Sequence, residues 1–156
     1  MTGPKLGVRP ALPSDLEAIR KLVVANEMFP GEILDDMIAP CFAGDETELW
    51  FVVGEPVQGV AYAAPEKLTN GTWNQLMIAV EPSAQGQGLG KALMRHLEES
   101  LGKRDARLLI VDTSGTPQFE GTRVFYRAIG YRESARISDF WDDGDDKITF
   151  SRRLSG

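Results

Sequence analysis

The residues best suited to chemistry form a glycine-rich run, Gln85-Gly86-Gln87-Gly88-Leu89-Gly90-Lys91, with an apolar stretch before it and a helical pattern after it. Glycines at this spacing permit a tight turn and close backbone approach, and the first amides of a helix have no partner within it. Such a turn holds anions, helped by about half a positive charge from the helix dipole. Two familiar phosphate patterns fail. Gln85 stands where a phosphate loop needs its first glycine, and Ala92 stands where that loop needs the hydroxyl after Lys91. The dinucleotide pattern fails because Lys91 takes the place of its last glycine.

The pattern that fits is Gln-x-x-Gly-x-Gly, met by Gln85, Gly88 and Gly90 and preceded by Val80-Glu81-Pro82. It resembles the acetyl-CoA signature of the GNAT N-acetyltransferase superfamily. A second segment, Phe125-Tyr126-Arg127-Ala128-Ile129-Gly130-Tyr131, is similar to that family's Phe-Tyr-x-x-x-Gly-aromatic stretch. The resemblance implies acetyl-CoA as cofactor, its diphosphate on the amides of Gln85, Gly86, Gln87, Gly88, Leu89, Gly90 and Lys91. It also implies an arm lying along Ile78, Ala79 and Val80. It makes Tyr126 the proton donor to the departing thiolate, a role open to a phenol that is protonated at neutral pH. Relatives often carry the general base on the strand before the signature, yet residues 72–80 hold no ionisable side chain. Glu27 and Asp112 are therefore the candidate bases, and Glu27, Phe29 and Trp73 the candidate acceptor contacts. The implied reaction is direct acetyl transfer to a primary amine, small or peptidic. A non-catalytic acyl-CoA sensor on the same fold is the alternative.

These residues need positioning elements, and periodicity supplies them. Ser14-Asp15-Leu16-Glu17 reads as a capping box opening a helix over residues 14–25. A shorter helix covers residues 32–42, ending at Pro40 or just after. Leu49–Val53 and Val57–Ala63 flank Gly54-Glu55-Pro56 as strand, turn and strand. Gly71–Val80 is a third strand, and residues 91–101 a helix with Leu89, Leu93, Leu97 and Leu101 on one face. His96 beside that stripe reads as a packing residue, as do Trp50 and Trp141. The apolar run 106–112 suggests a strand buried on both faces. A helix over 121–129 and strands over 131–137 and 147–154 complete the chain.

The expected fold class is mixed α/β (α+β): a twisted, mostly antiparallel sheet of six to seven strands with about four helices. The resemblance adds that the strands at 71–80 and 106–113 splay apart at their C-terminal ends, and that strand edges near the C-terminus pair in a homodimer. Composition supports one soluble, cytoplasmic domain over residues 1–156: hydrophobic residues are 42%, charged residues 26%, and net charge is −6. No apolar run reaches the roughly 20 residues of a membrane span. One cysteine and one histidine argue against a metal site. Charge is uneven: residues 22–66 carry nine acids and no Lys or Arg. That excess disfavours nucleic acid as a partner and suits a cationic acceptor.

Overall fold

The computed structural model describes residues 7–154. The described residues form seven strands and four α-helices. They are β1 (Val8–Pro10), α1 (Leu16–Ala25), α2 (Leu34–Phe42), β2 (Leu49–Val53), β3 (Gly59–Pro65), β4 (Thr72–Val80), α3 (Leu89–Gly102), β5 (Leu108–Ser114), α4 (Glu120–Ala128), β6 (Arg132–Asp142) and β7 (Asp145–Arg153). The strands lie in the order β1-β2-β3-β4-β5-β7-β6. All the neighbouring pairs with an assigned register are antiparallel except β4 with β5. Contacts divide the chain into two compact units. The first runs to Ala64 and resumes over Met77–Ser100; the second holds Pro65–Leu76 and the chain from Leu101 onward. Among the described residues no helix is long and apolar enough to cross a membrane.

In the first unit, the apolar stripes of α1 (Ile19, Leu22, Val23) and α2 (Leu34, Ile38) close on alternate residues of the strands, Trp50, Val52, Val60, Tyr62, Met77 and Ala79. The Trp50 and Tyr62 rings stack at 4.1 Å. A Cβ at Gly59 would come within 2.9 Å of the Val53 side chain and 3.1 Å of the Leu93 side chain, so any larger residue would have to push these two aside where α3 meets β3. His96 packs edge-on against Phe51, centroids 4.7 Å apart. The start of α1 departs from the capping-box expectation. Asp15, not Ser14, is the anchor: its buried carboxylate accepts from the Leu12 amide at 2.8 Å and takes a two-pronged bond from Arg9 at 2.7 and 2.9 Å. A carboxylate that can collect three donors outcompetes a hydroxyl able to satisfy one. Pro40 lies inside α2, which continues to Phe42.

In the second unit, β4 and β5 pair in parallel over Thr72↔Leu108, Trp73↔Leu109 and Asn74↔Ile110, and their register ends there. β5 pairs with β7 through all seven of its residues. Its burial alternates, with Leu109, Val111 and Thr113 inside and Leu108, Ile110, Asp112 and Ser114 half-exposed, against the expectation of burial on both faces. The ring of Phe150, cross-strand partner of Val111, stacks on Tyr126 of α4 and covers one face only. The edge strand β6 is exposed at all eleven positions. It also runs further than its apolar pattern suggested, because Asp146 holds both Arg136 (2.8 Å) and the Asp139 amide (3.0 Å). Trp141, read as a packing residue, is 49% exposed and donates its indole N–H to the Thr113 carbonyl.

Candidate functional site

The glycine-rich turn belongs to the first unit. β4 ends at Val80, and Pro82–Ala84 makes one tight turn whose Ala84 amide donates to the Glu81 carbonyl at 2.8 Å. The Glu81 side chain accepts from Ser83, and buried Ala84 roots the turn. Gly86 and Gly88 then take φ of +82° and +84°, a region that costs other residues about 1–2 kcal/mol. A Cβ at either would meet nothing within 4 Å, so these glycines answer to backbone sign and not to packing. Ala92 N–H donates to the Gly88 carbonyl at 3.0 Å as α3 begins. Among the described residues, the N–H groups of Gly86, Gln87, Gly88, Leu89, Gly90 and Lys91 find no hydrogen-bond partner. Gln85 N–H makes only a long 3.4 Å contact to Pro82. Residues 85–88 are exposed, whereas Leu89 is buried and fixes the helix start. A row of main-chain donors like this has the chemistry to hold an anion.

Other first-unit candidates surround the strand end. Ala79 is buried in the core, while Ile78 and Val80 are half-exposed. The Val80 carbonyl accepts from Asn26 Nδ2 at 3.2 Å, a contact the sequence reading passed over. Glu27 follows directly, exposed and at φ +52°; among the described residues its carboxylate has no hydrogen-bond partner. Phe29 is half-buried against the α1–α2 core.

The second unit holds a buried polar centre on adjacent residues of β4. Tyr126 is 1% exposed and donates its hydroxyl to Gln75 Oε1 at 3.2 Å. Phe125, Tyr131 and Phe150 surround its ring at 5.1–5.9 Å. Burial pushes the phenol well above its ordinary range, so it stays protonated. Gln75 is 2% exposed, and its Nε2 has no partner among the described residues. Asn74, 6% exposed, gives Nδ2 to Glu66 (2.9 Å) and Asp112 (3.3 Å), while its Oδ1 has no partner among the described residues. Asp112 also accepts from Thr149 at 2.6 Å and lies 3.8 Å from Lys147. Each unmatched buried atom costs about 1–3 kcal/mol, so two on successive residues call for an explanation. Sequence reasoning missed Asn74, Gln75 and Glu66; the available signal was a pair of amides in an otherwise apolar strand. Trp73 stands at the start of β4, 7% exposed with the Arg104 guanidinium 5.8 Å from its ring centre.

Residues 46–133 match the family model for the acetyltransferase (GNAT) domain. The chain belongs to the GNAT acetyltransferase family. Among solved structures, a GNAT-family protein from Desulfovibrio desulfuricans is 26% identical, with a TM-score of 0.89 over 97% of this chain and 100% of that one. The Escherichia coli ribosomal-protein-S18-alanine N-acetyltransferase is 22% identical, with a TM-score of 0.75 over 97% and 96%. An aminoglycoside 6'-N-acetyltransferase complexed with coenzyme A is 15% identical, with a TM-score of 0.79 over 96% and 98%. These last two likenesses speak to the fold alone. No curated protein matches the chain. For this GNAT domain the implied cofactor is acetyl-CoA, and the turn fits its diphosphate: among the described residues the donors are consecutive and unpaired, those of Gly86, Gln87 and Gly88 lie on exposed residues, and a Cβ built at Gly86 or Gly88 meets nothing within 4 Å.

Proposed function

We propose that this GNAT domain is an acetyl-CoA-dependent N-acetyltransferase that delivers the acetyl group to a primary amine by direct transfer. The observation that carries the reading is the run of unpaired amides from Gly86 to Lys91. Acetyl-CoA supplies the activated thioester when bound. The turn holds the diphosphate, and a main-chain N–H of residues 78–80 polarises the thioester oxygen; such donors contribute about 3 kcal/mol or more. Tyr126, kept protonated by burial, gives its proton to the leaving sulfur. Asp112 has both oxygens in hydrogen bonds and Lys147 nearby, which favours a structural anion over a base. Glu27, exposed and unpaired, is the better candidate to take the amine's proton by way of water.

The acceptor class is a cationic amine. Arg20 matches Asp35 at 3.0 Å and the Tyr62 hydroxyl engages Glu48 at 2.7 Å, but other acids of residues 22–66 remain on exposed positions. The fully exposed edge strand β6 supports a homodimer, to be read by light scattering. Thiol release from acetyl-CoA across cationic, neutral and anionic amines, at several salt concentrations, tests the whole reading. Turnover that favours cations and weakens with salt is expected. Preference for an anionic amine overturns the acceptor class. The absence of an ionisable side chain on β4 favours one rival, an acyl-CoA sensor, and tight binding without turnover of any amine is its signature.

A further inference from the structure

Tyr126 has one hydroxyl hydrogen, and it is committed to Gln75 Oε1 at 3.2 Å. On the same carboxamide, Nε2 is buried without a partner among the described residues. Oxygen and nitrogen of a carboxamide have nearly the same shape, so half a turn about its last bond exchanges them without new steric demand. In the observed setting the phenol is the donor and Nε2 is orphaned. After the half turn, Nε2–H donates to the phenol oxygen, the hydroxyl hydrogen is released, and Oε1 is the unmatched atom. Each setting leaves one buried polar atom unsatisfied, and an unmatched carbonyl is the better tolerated of the two. Neither setting locks the side chain. A purely structural residue on this apolar strand would gain from a carbon chain of the same length.

We propose that Gln75 is a positioning residue whose carboxamide turns over between these settings and so decides when Tyr126 can part with its proton. This rests on the acetyl-transfer reading above. In the step it serves, the amine nitrogen bonds to the acyl carbon and the carbon–sulfur bond breaks. The electron pair left on sulfur takes the Tyr126 hydrogen. Nε2–H then stabilises the phenolate. The proton shed by the nitrogen, taken up first by Glu27, passes back to the phenolate through water, so the amide and the free thiol are the only products.

The test measures thiol release from acetyl-CoA with whichever amine the wild type turns over fastest among a diamine, an aminoglycoside and an alanine-terminated peptide. Gln75→Met keeps the length without polar atoms; Gln75→Glu keeps the shape and only accepts once ionised. Both are expected to lower kcat by at least about tenfold and leave KM for acetyl-CoA within about twofold. Gln75→Glu should regain activity as pH falls and its carboxyl acquires a hydrogen to donate. Adding Gln75→Met to Tyr126→Phe should cost nothing further, because both act on one proton. Wild-type kcat in the Gln75 variants, or losses that multiply in the double variant, overturns the proposal. Should the variants not fold, the Gln75 side-chain amide signals of the wild type still decide. They are expected to move when coenzyme A is added and when Tyr126→Phe is introduced, and signals unmoved by both overturn it. A wild type that releases no thiol with any amine overturns the acetyl-transfer reading itself, and does so before any substitution is made.

Discussion

The turn at residues 85–91 and the centre around Tyr126 present their polar groups by opposite means. The turn offers main chain: its unpaired donors are amides, residues 85–88 are exposed, and its geometry comes from two left-handed glycines. The Tyr126 centre is buried and gathers side chains from β4, β5, α4 and β7, with two side-chain atoms unmatched among the described residues. A main-chain cradle depends on local conformation, so it survives most changes elsewhere. A side-chain centre depends on the register of distant elements, and each of its groups is worth most when its neighbours are in place.

Gly88→Glu is the strongest way to break this contrast. A negative side chain on the cradle should lower coenzyme A affinity by at least about 100-fold in calorimetry. With open space at the site, left-handed strain of about 1–2 kcal/mol should lower Tm by only a few degrees. Unchanged affinity would remove the turn from the site. Next comes Tyr126→Phe, expected to lower kcat by about 100-fold or more while coenzyme A affinity holds. An equal loss of affinity would erase the division between a binding region and a proton-transfer region.

Asp15→Ala sharpens the comparison by touching neither region. Losing this buried anchor should cost about 1–3 kcal/mol at neutral pH without changing kcat. The Arg9 bond and the Leu12 amide hold the Asp15 carboxyl below its ordinary range, so it binds its proton less readily folded than unfolded. Its contribution is complete above about pH 4 and disappears as pH falls through the lower folded value. Melting curves of wild type and variant should therefore converge in acid; a constant gap would contradict the assignment. The smallest effect belongs to Lys91→Ala. Removing a cation from the first turn of α3 should stabilise the helix by about 0.3–0.5 kcal/mol, and weaken coenzyme A binding by about threefold at low salt and less at high salt.

The order of elements was readable from apolar periodicity, and so was the turn. Errors fell where several weak local signals compete. Ser14 and Asp15 are both good caps, and only the approach of Arg9 decides for Asp15. The run Leu108–Val111 is uniformly apolar, so its own residues could not say that one of its faces is left half-exposed. Trp141 looked like core by composition, yet it sits on an edge strand whose ladder partner lies on one side only. Asn74 and Gln75 were visible as amides, but nothing local marked them as a meeting point for Glu66, Asp112 and Tyr126.

Taken alone, the amino-acid order determined what neighbouring residues can settle among themselves. Glycine placement dictates φ at Gly86 and Gly88, helix geometry leaves the first amides of α3 unpaired, and apolar spacing sets each element's inward face. Only the tertiary structure decided which groups share a buried space. Tyr126 finds Gln75 across 51 positions and Asp112 finds Asn74 across 38. Burial then raises the phenol and strands Nε2, because desolvation acts on a group through everything packed around it and not through its chain neighbours.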